Sequence, residues 1–249
     1  MLNIVEHGTA TDLPQVLIAH GLFGSARNWG AIAKRLSADR KVIAVDMRNH
    51  GESFWTDTHT YVDMAEDLSE LLDVSTDLVG HSMGGKAAMM LALHLPRYVR
   101  RLVVADIAPV AYSHTQMPMI EAMRSVDLSQ VETRRDADEQ LALRVEEPGV
   151  RAFLLQSLDV AGKRWRLNLD TLAADMMAIL GFPETNAAFE GATLFLSGGE
   201  SDYVRDNYRA DIKAKFPVAR FARIPGAGHW LHAEKPREFE DTVRLFLDT

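Results

Sequence analysis

Gly80-His81-Ser82-Met83-Gly84 lies between an apolar run, Thr76-Asp77-Leu78-Val79, and a helical pattern that continues through Lys86-Ala87-Ala88-Met89-Met90-Leu91. A serine squeezed between the end of a strand and the start of a helix needs small residues two positions to either side, because backbone packs on backbone in that turn and a Cβ would clash. Gly80 and Gly84 meet the requirement. Glycine-x-serine-x-glycine is frequent by chance, so its weight here comes from the strand before it and the helix after it. In that context Ser82 is the candidate nucleophile.

Short apolar runs alternate with helical patterns along most of the chain, which predicts a mostly parallel sheet covered by helices on both faces. The expected strands are Val16–Ala19, Val42–Val45, Asp77–Gly80, Leu102–Ala105, Thr193–Ser197 and Arg220–Ile224. Helices are expected near Trp29–Leu36, Tyr61–Leu72, Met83–Leu93, Arg205–Lys215 and Pro236–Leu247. The alternation stops once. Residues 112–189 offer no convincing strand and read as helical, charged and methionine-bearing, with Met117, Met119 and Met123 followed by helical stretches at Asp136–Leu143, Val150–Leu158 and Leu169–Leu180. A helical block inserted between parallel strands sits at the carboxyl edge of the sheet, where ligands bind in such folds. The predicted organisation is therefore a core of residues 1–111 and 190–249, with 112–189 as a helical lid; an independent helical domain is the alternative.

The balance of 35 acidic against 27 basic residues, a net charge of −8, opposes nonspecific attraction to nucleic acid or an anionic membrane. There is no cysteine, which excludes disulfides, thiolate metal sites and a thiol nucleophile together. The N-terminus lacks a basic segment followed by a long apolar run, and no stretch of the chain has the unbroken apolar length of a membrane span. The expectation is a soluble, cytoplasmic chain without stable membrane insertion, although a mitochondrial precursor trimmed of its leader would look the same.

Two further segments bear on Ser82. After the first expected parallel strand comes His20-Gly21-Leu22-Phe23-Gly24, a turn whose free backbone N–H groups can face the neighbouring strand end. Acyl transfer puts negative charge on a carbonyl oxygen, and preorganised N–H donors stabilise it by a few kcal/mol each. Leu22 and Met83 are the candidate donors. Near the C-terminus, Gly226-Ala227-Gly228-His229-Trp230 follows the last strand and precedes the final helix, which puts His229 on a loop at the same sheet edge as the candidate general base.

Together these residues resemble the α/β-hydrolase superfamily, with Ser82 as nucleophile, His229 as base and the His20-Gly21 turn as the oxyanion loop. The segment Asp46-Met47-Arg48-Asn49-His50-Gly51-Glu52-Ser53 is similar to the superfamily's D-x-R-x-x-G-x-S loop, whose role is structural. HGLFG, DMRNHGES, GHSMGGK, Asp106-Ile107-Ala108-Pro109-Val110 and GAGHWLHAEKP, all in register, resemble more narrowly the YbfF-type bacterial esterases and ABHD11-like hydrolases. The resemblance covers nearly the whole chain outside the helical block. It implies an α/β-hydrolase fold with a lid inserted before the penultimate core strand.

A serine triad needs a carboxylate that holds the imidazole in one tautomer. Two aspartates end expected strands at the correct edge, Asp106 and Asp202. In most α/β hydrolases the acid follows the later strand as G-x-x-D-x-x-V; here, aligning Val204 with the valine puts Ser201 at the acid's position. In the YbfF-like group the aspartate of the D-I-A-P-V segment takes over, so the resemblance favours Asp106, with Asp202 as the alternative.

The side chain of His81 should point away from Ser82 into packing or a loop hydrogen bond. His50, His59, His114 and His232 lack metal-ligand spacing, so neither a metal nor a cofactor is expected. Arg134-Arg135 and Lys163-Arg164-Trp165-Arg166 read as solvated faces of the lid, with contact to an anionic substrate group as the sharper alternative. Phe23, Trp29, Trp230 and the lid methionines are candidate walls of an acyl pocket. The residues thus point to a cofactor-free serine hydrolase of carboxylic esters, with short to medium acyl chains, or of thioesters. Carbon–carbon bond hydrolysis and perhydrolysis can use the same groups, and a noncatalytic ligand- or partner-binding protein on this scaffold is the alternative from another class. Natural substrate and oligomeric state are not legible.

Overall fold

The computed structural model describes residues 1–249. The strands run in chain order as β1 (Ile4–His7), β2 (Val16–Ala19), β3 (Val42–Val45), β4 (Thr76–His81), β5 (Val99–Ala105), β6 (Leu158–Asp159), β7 (Arg164–Trp165), β8 (Ala192–Gly198) and β9 (Arg220–Ile224). The helices of the first half are α1 (Gly30–Leu36), α2 (Tyr61–Ser69) and α3 (Met83–His94). The insertion carries α4 (Met117–Arg124), α5 (Arg134–Leu141), α6 (Pro148–Leu154), α7 (Leu169–Ala174) and α8 (Met176–Leu180). After it come α9 (Arg209–Lys215), α10 (Leu231–Glu234) and α11 (Pro236–Leu247). Seven strands form one sheet in the order β1-β3-β2-β4-β5-β8-β9, with β6 and β7 paired separately. Only β1 runs antiparallel in the large sheet.

Successive strand side chains point to opposite faces, and here both faces are covered. Leu17, Ala19, Ile43, Val45 and Leu78 pack with Met64 and Leu68 of α2 and with the length of α3. Val16, Ile18, Val42, Ala44 and Val79 pack with Ile32 and Leu36 of α1 and with Phe239 and Val243 of α11. That is why β2 and β3 read as unbroken apolar runs rather than as alternating ones. Helix α3 is buried from Met83 to Leu93, including Lys86. The Lys86 ammonium donates to the carbonyls of Val110 at 2.9 Å, Leu180 at 3.0 Å and Gly181, which joins the end of the insertion to the core; burial lowers its pKa to about 7.

The six strands expected from the sequence are present, with ends displaced by up to three residues. Three features differ. The edge strand β1 was not expected: its four residues are exposed or half-buried, so it carries no apolar run, and its register comes from pairing with β3. The expectation of no strand within 112–189 is corrected by the β6–β7 hairpin. Its two-residue strands are too short to show an alternation, and its turn is held by the Gly162 N–H donating to Asp159 Oδ1 at 2.9 Å. The helix expected over Leu169–Leu180 is interrupted at Asp175, whose Oδ2 accepts the backbone N–H of His59. The insertion has an apolar cluster of its own, including Ile120, Met123, Leu141, Leu154, Trp165 and Leu172, which closes over Phe23.

Candidate active site

The strand order brings five loops to one edge. Those after β2, β4, β5 and β8 leave adjacent strands, and the loop after β9 leaves the next. The turn after β4 depends on its glycines: an added Cβ would lie 2.4 Å from Gly84 O if placed on Gly80, and 2.4 Å from Ala19 O if placed on Gly84. Ser82 itself has φ +52°, a left-handed conformation that L-residues adopt only when the surroundings enforce it. Its N–H donates to Ala105 O at 3.0 Å, so the strained residue is tied to the end of β5.

His229 Nε2 lies 3.1 Å from Ser82 Oγ, and its Nδ1 lies 2.7 Å from Asp106 Oδ2. Asp106 is fully buried, also at φ +52°. A buried carboxylate offers only acceptors, so Nδ1 carries the proton and Nε2 is left to accept from the serine hydroxyl. The other carboxylate oxygen, Oδ1, accepts the N–H of Gly198 at 3.0 Å, and Oδ2 also accepts the hydroxyl of Ser201. The three residues named from the sequence as nucleophile, acid and base therefore form one hydrogen-bonded row. Asp202 does not reach it. Its side chain is 90% exposed and its nearest cation is Arg205 at 3.8 Å.

Leu22 and Met83 both line the cavity above this row. The N–H of Leu22 has no acceptor within the protein, and that of Met83 is the first of α3, with no carbonyl one helical turn before it. The turn that carries Leu22 is held by two neutral histidines. His20 Nε2 accepts the N–H of Met47 at 2.9 Å while its Nδ1–H donates to Gly21 O at 2.8 Å. His50 Nε2 accepts the N–H of Phe23 at 3.1 Å while its Nδ1–H donates to Arg48 O at 2.9 Å. Burial is the main cause that lowers the pKa of both, and neutrality is what lets each ring accept on one nitrogen and donate on the other. Asp46 braces the next segment, its Oδ1 accepting from Ala26 N at 2.7 Å and its Oδ2 from Glu52 N at 3.0 Å.

The Nε2–H of His81 donates to the carbonyl of His229 at 2.8 Å, fastening the loop that carries His229 to the end of β4 beside Ser82. The ring of Tyr203 stacks on His229 with centroids 3.9 Å apart and planes 18° apart. The loop hydrogen bond of His81 is one of the two uses expected from the sequence, whereas Ser201, Tyr203, His20 and His50 make contacts that the sequence reading did not assign. The one available signal was Ser201, standing where the usual acid would be.

A cavity of about 480 Å³ opens above Ser82, within the range of roughly 300–1,000 Å³ for small-molecule sites. Phe23, Trp29, Trp230 and Met119 line it, but Met117 and Met123 do not. The insertion supplies Val145, Val150, Phe153 and Leu154 to its wall, and Arg144, Glu146 and Glu147 also border it. The sharper reading of the cationic segments is corrected here. None of Arg134, Arg135, Lys163, Arg164 and Arg166 lines the cavity, and four of them are paired with acids of their own: Arg135 with Glu139, Lys163 with Glu132, Arg164 with Asp159 and Arg166 with Glu52.

Comparison with known proteins agrees with this architecture. The alpha/beta hydrolase family profile matches residues 16–242. The sn-1-specific diacylglycerol lipase ABHD11 of Mus musculus is 45% identical over 98% of this chain and 84% of its own length. The esterase YbfF of Escherichia coli (strain K12) is 41% identical over 94% of this chain and 92% of its own length. Among solved structures, a marine microorganism esterase superposes with a TM-score of 0.93 at 36% identity, covering 98% of each chain. No helix is long and apolar enough to cross a membrane. With this sheet, this strand-to-helix turn and these relatives, the chain belongs to the alpha/beta hydrolase family and is a carboxylic ester hydrolase.

Proposed function

We propose that the protein hydrolyses its esters through a Ser82-His229-Asp106 triad and an acyl-enzyme. The observation that carries this reading is the bonded row itself, 3.1 Å from Ser82 to His229 and 2.7 Å from His229 to Asp106, beneath a cavity of substrate size. Ser82 Oγ attacks the carbonyl carbon as its proton passes to His229 Nε2, and Asp106 stabilises the imidazolium so formed without taking its proton. The N–H groups of Leu22 and Met83 hold the oxyanion. The leaving oxygen then takes the proton from Nε2, which leaves Ser82 acylated. Water, deprotonated by the same nitrogen, attacks the acyl carbon, and the acid departs as Ser82 recovers its hydrogen.

Residues 112–189 act in this reading as a lid over the core of 1–111 and 190–249. Phe153 of the insertion packs against Trp230 of the core with ring centroids 5.5 Å apart, and with Leu154 and Trp29 they line the cavity, walls suited to acyl chains of short to medium length on an oxygen or thioester leaving group. The substrate partner is a small ester; the diacylglycerol named for the mouse relative is the lipid member of the test series.

The test is hydrolysis of p-nitrophenyl esters of graded acyl length, thioesters and diacylglycerol, with a fluorophosphonate probe and Ser82→Ala as control. Turnover and labelling at Ser82, both lost in the variant, are the expected result. Turnover that survives Ser82→Ala would overturn the triad.

A further inference from the structure

We propose that Tyr203 is a positioning residue for His229, its ring holding the imidazole in the plane that keeps Nε2 on Ser82. The inference rests on the triad reading above. A single hydrogen bond from Nδ1 to Asp106 fixes one direction in the imidazole and leaves the ring free to tilt about the line of that bond. Tilting swings Nε2 off the serine oxygen. A flat group lying against the ring blocks the tilt, and Tyr203 lies there, with centroids 3.9 Å apart and planes 18° apart.

The tyrosine is itself held, chiefly through its backbone. Its hydroxyl is 2.7 Å from His114 Nε2. Its backbone carbonyl accepts the Tyr112 hydroxyl at 2.6 Å, and its N–H donates to Ser201 Oγ at 3.3 Å. Ser201 in turn donates to Asp106. One loop after β8 therefore restrains the acid through Ser201 and the base through Tyr203, while His81 anchors the carbonyl of His229. The stack also favours the imidazolium that forms at each proton transfer, since an aromatic face attracts a cation.

The experiment compares Tyr203→Leu, Tyr203→Phe and Ser82→Ala with p-nitrophenyl acetate, whose acyl group is too small to need the pocket walls, and measures the rate of fluorophosphonate labelling at Ser82 alongside. Misplacing a catalytic group by about 1 Å costs on the order of 100-fold. The expected result is a kcat lowered about 10- to 100-fold in Tyr203→Leu, with KM within about threefold and labelling slowed in parallel, and recovery to within about threefold in Tyr203→Phe. A thermal melt identifies misfolding; if the leucine variant does not fold, Tyr203→Met is read in its place. A non-aromatic variant that turns over like the wild type, a change confined to KM, or a phenylalanine variant as slow as the leucine one would overturn the inference. Activity that survives Ser82→Ala would remove the triad reading and this inference with it, whereas a dead Ser82→Ala beside an unimpaired Tyr203→Leu removes the inference alone.

Discussion

Ser201 donates its hydroxyl hydrogen to Asp106 Oδ2, the oxygen that also accepts His229 Nδ1–H. The loop after β8, where the sequence pattern sets Ser201 at the position of the expected acid, here holds a donor to a carboxylate at the end of β5. With the Gly198 N–H on Oδ1, the buried carboxylate has three donors. Its charge is compensated by hydrogen bonds, and its orientation toward His229 is determined.

Asp106→Asn removes the charge and presents the wrong group to Nδ1. kcat is expected to fall on the order of 10⁴-fold, the size of the tautomer effect in serine triads. Asp202→Asn, at an exposed side chain, is expected to change kcat by less than about twofold. Steady-state kinetics of the two variants check the assignment, and the reverse ranking would overturn it.

Ser201→Ala leaves Asp106 Oδ2 with His229 as its only partner. Loss of one hydrogen bond to a charged group is worth about 1.5–3 kcal/mol, and only part of that differs between ground and transition states. kcat is therefore expected to fall about tenfold, with KM little changed. A wild-type kcat in this variant would show that the Gly198 N–H alone orients the acid.

His50→Ala deprives the Phe23 N–H of its acceptor inside a turn where Phe23 already stands at φ +65°. A buried donor left unpaired costs about 1–3 kcal/mol. Loosening the turn also displaces Leu22. A lower denaturant midpoint together with a lower kcat is expected; reduced stability at unchanged kcat would show that Leu22 is not held through His50.

Burial lowers the pKa of both His59 and His232 to about 3. Their folded values lie below the ordinary 6.5, so the unfolded chain binds more protons between these limits. The stability each contributes is present above about pH 6.5 and is lost as pH falls toward 3, by up to about 1.4 kcal/mol per pH unit for each group. Tm is expected to drop steadily from pH 6.5 to 4. His232 stacks on Trp29 at 4.2 Å and its Nδ1 has no partner, so His232→Phe keeps the stack and should flatten that slope. An unchanged slope would trace the acid lability to other groups.

Local signals in the sequence are those that a single element must satisfy by itself. Gly80 and Gly84 are dictated by the closeness of one turn, and β2 and β3 read as apolar runs because both of their faces are covered. The placement of Ser82, His229 and the Leu22 turn at strand ends was accordingly legible. Weak local signals failed: the exposed strand β1, the two-residue strands β6 and β7, and the break at Asp175 take their form from β3, from Asp159 and from His59, which are distant partners or single side chains. The choice between Asp106 and Asp202 is of the same kind. Both aspartates follow a strand, and the motif resemblance favoured Asp106, but neither loop by itself shows which carboxylate is buried at the Gly198 N–H and which is turned to water. Tertiary structure decided which carboxylate meets His229, as it decided the contacts of Tyr203, Ser201, His81 and His50, because a hydrogen bond or ring stack between loops depends on which strand ends are neighbours, and neighbourhood is a property of the folded sheet.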